Sequence, residues 1–375
     1  MRWIQDGLRQ FTGTRIDLPR VGVCENVRAY CDALGKPVTR LSPGMTVTRE
    51  LPRTVEAELD PGFGIRLSRE LPERYLAQLD KPLLTSAKGM VILPNGELAL
   101  ELVHNDSRRL AEFPFVQNGL RGPVQKKKGD YFSIFIFWAE GKNYYHWIHD
   151  AVMRLYQVLE RLPAGTRFIV PAQLPAYKRD SLELLGIPSE RLLPFDGSEI
   201  WELERLHFTP PLVHTGNDHP LADVWYREAM WERVGIRAPN PHRRIYISRR
   251  HSNHRRFTNE AEVVEILEQH GFETCYAEQL AFRDQVALFA QAQVVVGCHG
   301  AGFTNVLFSK PGARVLDVQD PNYRNFAFWN MCEAVGHRYW YFLGDELRVQ
   351  GAHHEFRCPP DKLHLTLQEL LEDLE

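Results

Sequence analysis

The strongest concentration of positive charge lies in the segment PHRRIYISRRHSNHRRFTNE, residues 241–260. Within fourteen residues it carries six arginines, at positions 243, 244, 249, 250, 255 and 256. A guanidinium group stays ionised, and its planar fork binds two phosphoryl oxygens at once. Arg249, which follows Ser248 at the end of an apolar strand-like run, is therefore well suited to a diphosphate. The alternatives are a solvated or salt-bridged loop and a nucleic-acid patch, although few aromatic residues are interleaved here.

Glycines are concentrated in VVVGCHGAGFTNVLF, residues 294–308, where a hydrophobic strand precedes a helix-like run. The free N–H groups and the dipole at the start of a helix favour an anion, and small residues let a ligand approach the backbone. His299 within the turn offers a donor to a phosphate or a sugar hydroxyl. The glycine spacing does not match the dinucleotide motif G-x-G-x-x-G, and no P-loop Gly-Lys-Ser/Thr is present. A tight structural turn without a ligand would use the same residues.

A histidine and an aspartate stand four positions apart in YYHWIHD, residues 144–150. His146 and Asp150 would share one face of a helix, which is adequate geometry for a general base with an orienting partner. The alternatives are a metal site and a helix-capping cluster beside a packed Trp147. Two ligands do not make a zinc site, and H-E-x-x-H is absent, so we predict no metal.

Strands alternate with helices around these segments, which is the pattern of an α/β protein with a largely parallel sheet. Asn259 is predicted to cap a helix, in a capping box with Glu262. The predicted strands cover 131–138, 167–170, 191–195, 244–248, 272–276, 294–296 and 314–318. The predicted helices cover 144–161, 176–185, 222–234, 259–271, 282–291 and 303–309, and a Pro-, Gly- and Asn-rich stretch at 209–220 separates the two series.

The first third of the chain lacks this alternation and is predicted to be an irregular α+β region. Asn95-Gly96 between two alternating apolar runs predicts a hairpin. A short N-terminal helix is predicted, with Trp3, Ile4, Leu8 and Phe11 on one face. That face either packs on its own domain or lies at a membrane surface. We predict three parts, over residues 1–130, 131–235 and 236–375.

Composition limits the class of protein. The 375 residues correspond to about two domains. An apolar content of 44% is too high for a disordered chain. The 45 Lys and Arg and the 48 Asp and Glu leave a net charge of −3, which disfavours a general coat of positive charge for nucleic acid or membrane. Any anion site must therefore be local.

Several features favour a cytoplasmic location. No apolar run reaches the roughly 18 residues of a membrane span. The first residues lack the apolar stretch and cleavage site of a secretory signal. The six cysteines form no C-x-x-C pair, which suits a reduced compartment better than a disulfide framework.

Taken together, these segments resemble glycosyltransferase family 61, also described as capsular polysaccharide biosynthesis proteins. The resemblance covers about residues 90 to 345, and its most specific part is the glycine-rich motif. It rests on N-Y-Y-H-W-I-H-D, the Ile247-Ser248-Arg249 strand end, R-F-T-N-E-A-E from Arg256 to Glu262, and F-x-x-Q-V-x-L-F-A leading to G-C-H-G-A-G-F-T-N-V-L-F.

The resemblance implies a GT-B architecture, with two facing Rossmann-like domains that follow the irregular α+β extension. The second domain would hold a nucleotide-sugar donor, and the acceptor would lie in the cleft. His146 and Asp150 carry over to the acceptor side. The positions that carry over to the donor side are Ser248, Arg249, Arg256, Asn259, Glu260, His299, Gly300, Ala301, Gly302, Thr304 and Asn305.

The implied activity is inverting, metal-independent transfer of a hexosyl or pentosyl group, with a UDP-sugar as the first donor to test. The acceptor would be a hydroxyl of a glycan or lipid-linked glycan in surface polysaccharide biosynthesis. Asp150 or His146 would take the acceptor proton, while Arg249, Arg256 and the amides of residues 300–302 would neutralise the leaving diphosphate. No cofactor beyond the co-substrate and no nucleic-acid partner are expected.

Other functions remain open at this point. The main alternative is a non-catalytic nucleotide- or glycan-binding subunit of a polysaccharide assembly complex. A nucleotide-sugar epimerase or dehydrogenase is disfavoured because G-x-G-x-x-G and a following Tyr-x-x-x-Lys pair are absent. The expected location is cytoplasmic, with peripheral association with the inner membrane face as a further expectation.

Overall fold

A computed structural model describes residues 15–139, 141–346, 355–372 and 374. The predicted N-terminal helix with Trp3 and Phe11 lies outside the described residues. The chain divides into two compact units. The first unit comprises Met1–Met45 and Pro72–Thr215, and the second comprises Thr46–Leu71 and Gly216–Glu375.

The strands of the described residues are, in chain order, β1 Arg15–Leu18, β2 Gly22–Cys24, β3 Val38–Ser42, β4 Met45–Thr48, β5 Arg53–Thr54, β6 Ser68–Leu71, β7 Arg74–Asp80, β8 Leu83–Thr85, β9 Met90–Ile92, β10 Glu97–Ala99, β11 Leu120–Ser133, β12 Arg167–Pro171, β13 Leu192–Phe195, β14 Ile200–Phe208, β15 Arg243–Ile247, β16 Phe272–Cys275, β17 Ala292–Cys298, β18 Arg314–Gln319, β19 Arg338–Leu343, β20 Asp345–Glu346 and β21 Phe356–Arg357.

The α-helices are α1 Val27–Ala33, α2 Pro61–Gly64, α3 Pro114–Asn118, α4 Ala176–Leu184, α5 Pro220–Val234, α6 Glu260–Gln269, α7 Phe282–Phe289, α8 Ala327–Val335 and α9 Pro360–Leu371. Tighter 3₁₀ turns occur at Leu100–Val103, Ser107–Glu112, Val152–Leu155, Leu159–Arg161, Ser189–Arg191, Ala277–Gln279 and Ala301–Phe308, and a wider π-helical turn occurs at His146–Ala151.

The first unit is built on a mixed eleven-stranded sheet. Four of its strands run parallel in the order β13-β12-β11-β14. Antiparallel strands β7 and β8 pair with β14 on its other side. Because β11 is the first of the four parallel strands in the chain and β14 the last, the direction of winding reverses between them. Ligands of open α/β sheets bind at the carboxyl ends of the strands beside such a reversal.

The second unit contains a six-stranded, entirely parallel sheet in the order β16-β15-β17-β18-β19-β5. Its five longer strands follow the doubly wound order 2-1-3-4-5, so the winding reverses between β15 and β17. The run Val294, Val295 and Val296 is fully buried, as expected for a strand covered on both faces. Both segments singled out for a donor site therefore follow the two strands at the reversal.

An α/β architecture with parallel strands in each unit is confirmed. Most predicted elements from residue 167 onward agree with the structure to within two residues at either end. The hairpin at Asn95-Gly96 is also confirmed, since β9 and β10 pair antiparallel and Gly96 takes a left-handed φ of 88° at the turn. Within the described residues, no helix is both long and apolar enough to cross a bilayer.

The units divide the chain at other points than the three predicted parts. The boundary predicted at residue 130 falls inside β11, so the N-terminal region shares one sheet with the strands that follow it. Residues 46–71 belong to the second unit, where β5 pairs with β19. Residues 216–235, including α5, also belong to the second unit. Long-range strand pairing, which a local pattern does not report, causes these differences.

Two local predictions in the first unit are wrong. The strand predicted over 131–138 ends at Ser133, and the apolar residues that follow are buried outside the strand. The single helix predicted over 144–161 is replaced by the π-helical turn and two 3₁₀ turns, with a left-handed φ of 62° at Gln157 between those two. This segment buries side chains all round, from Trp147 to Val158, rather than on one helical stripe. Its packing therefore overrides the local helical preference.

Candidate functional site

His146 and Asp150 form a hydrogen-bonded pair on the π-helical turn of the first unit. His146 Nδ1 lies 2.6 Å from Asp150 Oδ2. Because a carboxylate accepts, we assign the ring hydrogen to Nδ1, which leaves Nε2 as the acceptor atom of the imidazole. The Asp150 side chain is 2% exposed, whereas that of His146 is 23% exposed. The accessible basic atom of the pair is therefore on the histidine.

A threonine and a tryptophan fix this pair in place. Thr215 Oγ1 donates a hydrogen bond of 2.8 Å to Asp150 Oδ2 and lies 3.3 Å from His146 Nδ1. On the other side, the ring of Trp138 stacks against the His146 ring at a centroid distance of 5.8 Å. The Arg109 guanidinium lies 4.3 Å from the Trp138 ring. The imidazole is thus held in one orientation by contacts from three separate segments.

Arg154 links the ends of the two strands at the reversal of the first unit. Its guanidinium donates to the carbonyls of Ser133 at 3.0 Å, Phe135 at 2.8 Å and Thr209 at 2.7 Å. Burial, with the nearby charge of Arg74, lowers the pKa of Arg154 to about 9, so it remains charged at neutral pH. Since Ser133 ends β11 and Thr209 follows β14, the arginine acts as a clamp beneath the His146 segment.

Arg249 lies at the carboxyl end of β15 in the second unit and holds its own loop together. Nε donates to the Arg255 carbonyl at 2.9 Å, and Nη2 donates to the His254 carbonyl and to Ser252 Oγ, each at 2.8 Å. Among the described residues, Nη1 has no hydrogen-bond partner, and it is not sealed from solvent. One arm of the guanidinium thus remains available to a ligand.

The glycine-rich turn packs directly against this arginine. A Cβ added to Gly300 would lie 1.8 Å from Arg249 Nη1. A Cβ on Gly297 or Gly302 would lie 3.0 Å from atoms of Ile247, the last residue of β15. These glycines are therefore required by the close packing of the two strand ends. A ligand is not needed to explain them.

A second arginine of the cluster ties the two segments together. Arg255 takes a left-handed φ of 54°, and its Nε donates to the His299 carbonyl at 3.1 Å. The Cys298 thiol donates to the Arg255 carbonyl at 3.0 Å, and burial raises the pKa of that thiol, which keeps it protonated. The Arg255 guanidinium lies 4.6 Å from the ring centroid of Tyr323. The cationic loop and the glycine turn form one continuous structure.

His299 is held by an aspartate in the same manner as His146. Its Nδ1 lies 2.7 Å from Oδ2 of Asp317, a fully buried residue of β18. Tyr339 donates its hydroxyl to the same oxygen at 2.8 Å, and burial together with Asp317 raises the pKa of that phenol. The His299 side chain is 4% exposed. Its Nε2 is the remaining hydrogen-bonding atom of the ring.

Comparison with known proteins agrees with the resemblance seen in the sequence. Residues 144–316 match the family described as Glycosyltransferase 61. These 173 residues are slightly less than half of the 375, and over them the chain is similar to that family. A stretch of 145 residues is 30% identical to the EGF domain-specific O-linked N-acetylglucosamine transferase of Drosophila melanogaster. That alignment covers 36% of this chain and 27% of the relative, so the chain matches about a quarter of the relative's length.

Two residues predicted on the donor side instead contact the C-terminal segment of the chain. Arg256 forms an ion pair with Glu355. Asn259 occupies the N-cap position of α6 but makes no side-chain cap. Its Oδ1 accepts from the Cys358 amide and its Nδ2 donates to the Cys358 carbonyl, each at 2.9 Å. The predicted capping box is therefore wrong, although Asn259 Nδ2 does donate to Glu262 Oε2 at 2.8 Å.

Three other predicted polar residues, Ser248, Glu260 and Asn305, are hydrogen-bonded within the second unit. Glu260 Oε1 accepts from Ser248 Oγ at 2.6 Å and from the Tyr246 hydroxyl at 2.9 Å, which fixes the end of β15 to the start of α6. Asn305 Nδ2 donates to Gln285 Oε1 of α7 at 2.8 Å. Thr304 is fully buried. Ala301 and Gly302, by contrast, are partly exposed at the start of the helical turn.

The structure thus assembles a smaller donor-side group than the sequence suggested. It brings together Arg249, His299, Gly300 and the following amides, with Arg255 in addition. The groups that they present are guanidinium N–H, backbone N–H and an imidazole, a donor set that suits the oxygens of a phosphate better than a metal ion.

Three positioning residues were missed in the sequence. Thr215 lies in the stretch 209–220, which was interpreted only as a break, and Arg154 lies in a segment interpreted as an ordinary helix. Arg255 was missed because its residue type does not distinguish it from its neighbour Arg256. A single arginine among apolar residues, such as Arg154 in VMRLY, is the one signal that would have indicated a buried, hydrogen-bonded group.

Proposed function

We propose that this chain is an inverting, metal-independent glycosyltransferase with the GT-B architecture, in which both units are Rossmann-like. It would transfer a sugar from a nucleotide sugar, with UDP as the first nucleotide to test, to a hydroxyl acceptor. The observation that carries the proposal is the His146–Asp150–Thr215 arrangement at a strand-order reversal. A buried carboxylate there fixes an imidazole whose second nitrogen remains free to accept a proton.

In this proposal His146 is the base and Asp150 orients it. The acceptor hydroxyl gives its proton to His146 Nε2 as its oxygen forms a bond to the anomeric carbon of the donor. The bond from that carbon to the diphosphate oxygen breaks, and the electron pair leaves with the diphosphate. Asp150 stabilises the imidazolium that results, while Thr215 keeps the carboxylate in position.

The second unit would bind the departing diphosphate. Arg249 Nη1 and the Arg255 guanidinium supply positive charge, and the first amides of the turn at Ala301–Phe308 supply N–H donors. His299 Nε2 adds a hydrogen-bonding atom fixed by Asp317. Because these groups are held before any ligand arrives, they stabilise the developing negative charge without reorganisation.

The proposed substrates and location are taken from the resemblance seen in the sequence and from the name of the relative. The proposed acceptor is a glycan or lipid-linked glycan of a surface polysaccharide, and the proposed location is cytoplasmic with peripheral contact to the inner membrane face. The relative's name specifies N-acetylglucosamine transfer to EGF domains. UDP-N-acetylglucosamine is therefore the first donor to test, and a polypeptide hydroxyl is the comparison acceptor.

The test is UDP release by the purified chain from UDP-N-acetylglucosamine and UDP-glucose, with GDP-mannose as the control donor. We expect release from a UDP-sugar that rises when glycan acceptors are added and persists in EDTA. Loss of activity in EDTA would contradict the metal-independent mechanism. Nucleotide binding without release from any donor and acceptor pair would instead indicate the non-catalytic binding subunit.

A further inference from the structure

A cavity of about 280 Å³ lies within the first unit, and the residues that line it do not include His146 or Asp150. Its lining includes Pro72, Tyr75, Glu101, His104, Pro211 and Val213. This volume is at the lower end of the range of about 300–1,000 Å³ that is usual for small-molecule sites. The space therefore fits a group of about one ring and not an extended chain.

The cavity is joined to the His146–Asp150 pair through one loop. Val213 and His214, which line it, directly precede Thr215. Thr215 in turn donates to Asp150. A group seated in the cavity would thus lie along the same loop that positions the base.

The walls combine apolar surface with fixed polar groups. The proline rings and Val213 provide flat apolar surface. Glu101, by contrast, is held rigidly, since its carboxylate accepts from the Val27 amide at 2.8 Å and from the Tyr75 hydroxyl at 2.9 Å. Arg28 and Glu73 form an ion pair on another wall. Apolar faces with a few fixed donors and acceptors match a sugar ring, which carries C–H faces and an equatorial set of hydroxyls.

His104 is the unexplained polar group of this cavity. Neither ring nitrogen has a hydrogen-bond partner among the described residues, and Nε2 is buried. Burial lowers the pKa of His104 to about 4; the nearby His214 and His146 lower it slightly further, and Asp150 acts in the opposite direction. The ring is therefore neutral at physiological pH, with one N–H donor and one acceptor.

The backbone also holds His104 in an unusual conformation. Its φ is 55° and that of Asn105 is 56°, two successive left-handed residues that are not glycine. Such conformations cost about 1–3 kcal/mol each and are maintained where the surrounding structure or a function requires them. An imidazole with unsatisfied nitrogens, held in a strained backbone at a cavity wall, is the arrangement expected of a ligand contact.

We propose that this cavity is an acceptor subsite, where a sugar ring of the acceptor binds with His104 as its hydrogen-bond partner. The inference rests on the proposed transferase function and specifies where its second substrate binds. The apolar ring faces would pack on the prolines and Val213, and the hydroxyls would bond to His104 and the fixed carboxylate wall.

The test uses saturation-transfer NMR with the methyl glycosides of glucose, galactose, mannose and N-acetylglucosamine. Val213→Trp fills the cavity with an indole, and Ile65→Trp, at a position 80% exposed in the second unit, is the matched control. We expect at least one glycoside to bind the wild type and Ile65→Trp. Its affinity should fall by at least about tenfold in Val213→Trp, because the indole occupies the space of the ring.

A second variant keeps the test valid if Val213→Trp does not fold, as judged by circular dichroism and thermal unfolding. His104→Asn retains a residue that tolerates the left-handed backbone but shortens the side chain. Glycoside affinity should again fall by about tenfold. Unchanged affinity in a folded variant, or no glycoside bound by the wild type, would overturn the subsite.

These outcomes are distinct from failure of the proposed function. If a UDP-sugar is turned over but filling the cavity leaves glycoside binding unchanged, the subsite alone is wrong. If no donor is turned over under any condition, the acceptor role fails together with the transferase proposal, whatever the glycoside result.

Discussion

Each unit contains a histidine whose Nδ1 is bound by an aspartate that also accepts from a hydroxyl. The distances are nearly the same, 2.6 Å for His146–Asp150 and 2.7 Å for His299–Asp317. The surroundings differ, because the His146 side chain is 23% exposed and that of His299 only 4% exposed. Asp317 also lies inside a parallel strand, whereas Asp150 lies on an irregular turn.

The difference in exposure suits the two His–Asp pairs to different tasks. A base must meet a mobile hydroxyl and tolerate a positive charge, which requires an imidazole with access to its ligand. A group that only contacts a bound anion benefits from rigidity, which the buried Asp317 and Tyr339 provide. In the proposed mechanism, the pair of the first unit would transfer the proton and the pair of the second would orient the ligand.

The largest effect should come from removing the base. His146→Ala is expected to lower kcat by about 10²–10⁴ while donor KM changes little, because the lost group acts on the acceptor proton. Asp150→Asn should be comparably damaging, since an amide can donate to Nδ1 and reverse the tautomer. Steady-state UDP release measures both, with the exposed His242→Ala as control. Equal losses for His146→Ala and His299→Ala would erase the distinction between the pairs.

Changes at the donor-side turn should be the next largest. Arg249→Ala removes a leaving-group contact and three loop hydrogen bonds, so turnover should fall by about 10²–10³. Gly300→Ala should do the same from the other side, since its Cβ would displace the Arg249 guanidinium. Because both changes disturb one contact, the double variant should be little worse than either single variant. Additive losses, or turnover within a few-fold of wild type, would contradict a shared site.

Arg154 should affect stability more than chemistry. Arg154→Met leaves the three carbonyls that it bonds without a donor, which should lower the free energy of unfolding by about 3 kcal/mol or more. Arg108→Met is the matched control, because Arg108 is highly exposed and its surface ion pair contributes little. Chemical denaturation followed by tryptophan fluorescence measures both. Similar midpoints for the two variants would show that Arg154 is not a clamp.

The smallest effect concerns acid stability. Burial lowers the pKa of His337 to about 4, and its Nε2 donates to the Val306 carbonyl at 3.0 Å. From the ordinary pKa of about 6.5 down to about 4, only the unfolded chain takes up this proton. The contribution of His337 to the free energy of unfolding is thus complete above about pH 6.5. It falls by about 1.4 kcal/mol per pH unit as the pH drops toward 4.

Replacing this histidine should remove that part of the pH dependence. His337→Gln should lose less stability than the wild type between about pH 7 and pH 5, as measured by the denaturation midpoint at each pH. An equal slope in the two proteins would show that His337 is protonated in the folded state.

The fold was predictable where one pattern dominates a segment. The consecutive valines of β17 indicated a buried parallel strand, and the glycines after it indicated the following turn. Strand β14 was missed because Glu202, Glu204 and Arg205 interrupt its apolar residues, although a strand with one partly exposed face allows such alternation. The helical signal of residues 144–161 failed because the segment is buried on every side, including at His149, Asp150 and Arg154.

The site was predictable only where its members are close in sequence. His146 and Asp150 are four residues apart, so their pairing could be inferred from helical geometry. Thr215 lies 65 positions from Asp150, and only the winding of the sheet brings it there. Arg255 and Arg256 are chemically identical, so the sequence does not distinguish them. The left-handed backbone at Arg255, which no sequence pattern shows, directs Arg255 to the glycine-rich turn, whereas Arg256 binds Glu355.

A thermal unfolding experiment with UDP tests most directly whether the glycine turn and Arg249 bind a nucleotide diphosphate. A ligand at a hundred times its dissociation constant adds about 2.7 kcal/mol of stability, which should raise the wild-type Tm by several degrees. Gly64→Ala, where an added Cβ meets no atom within 4 Å, should retain this shift, and Gly300→Ala should lose it. No shift with UDP, GDP or CMP, or an equal shift in Gly300→Ala, would contradict the assignment.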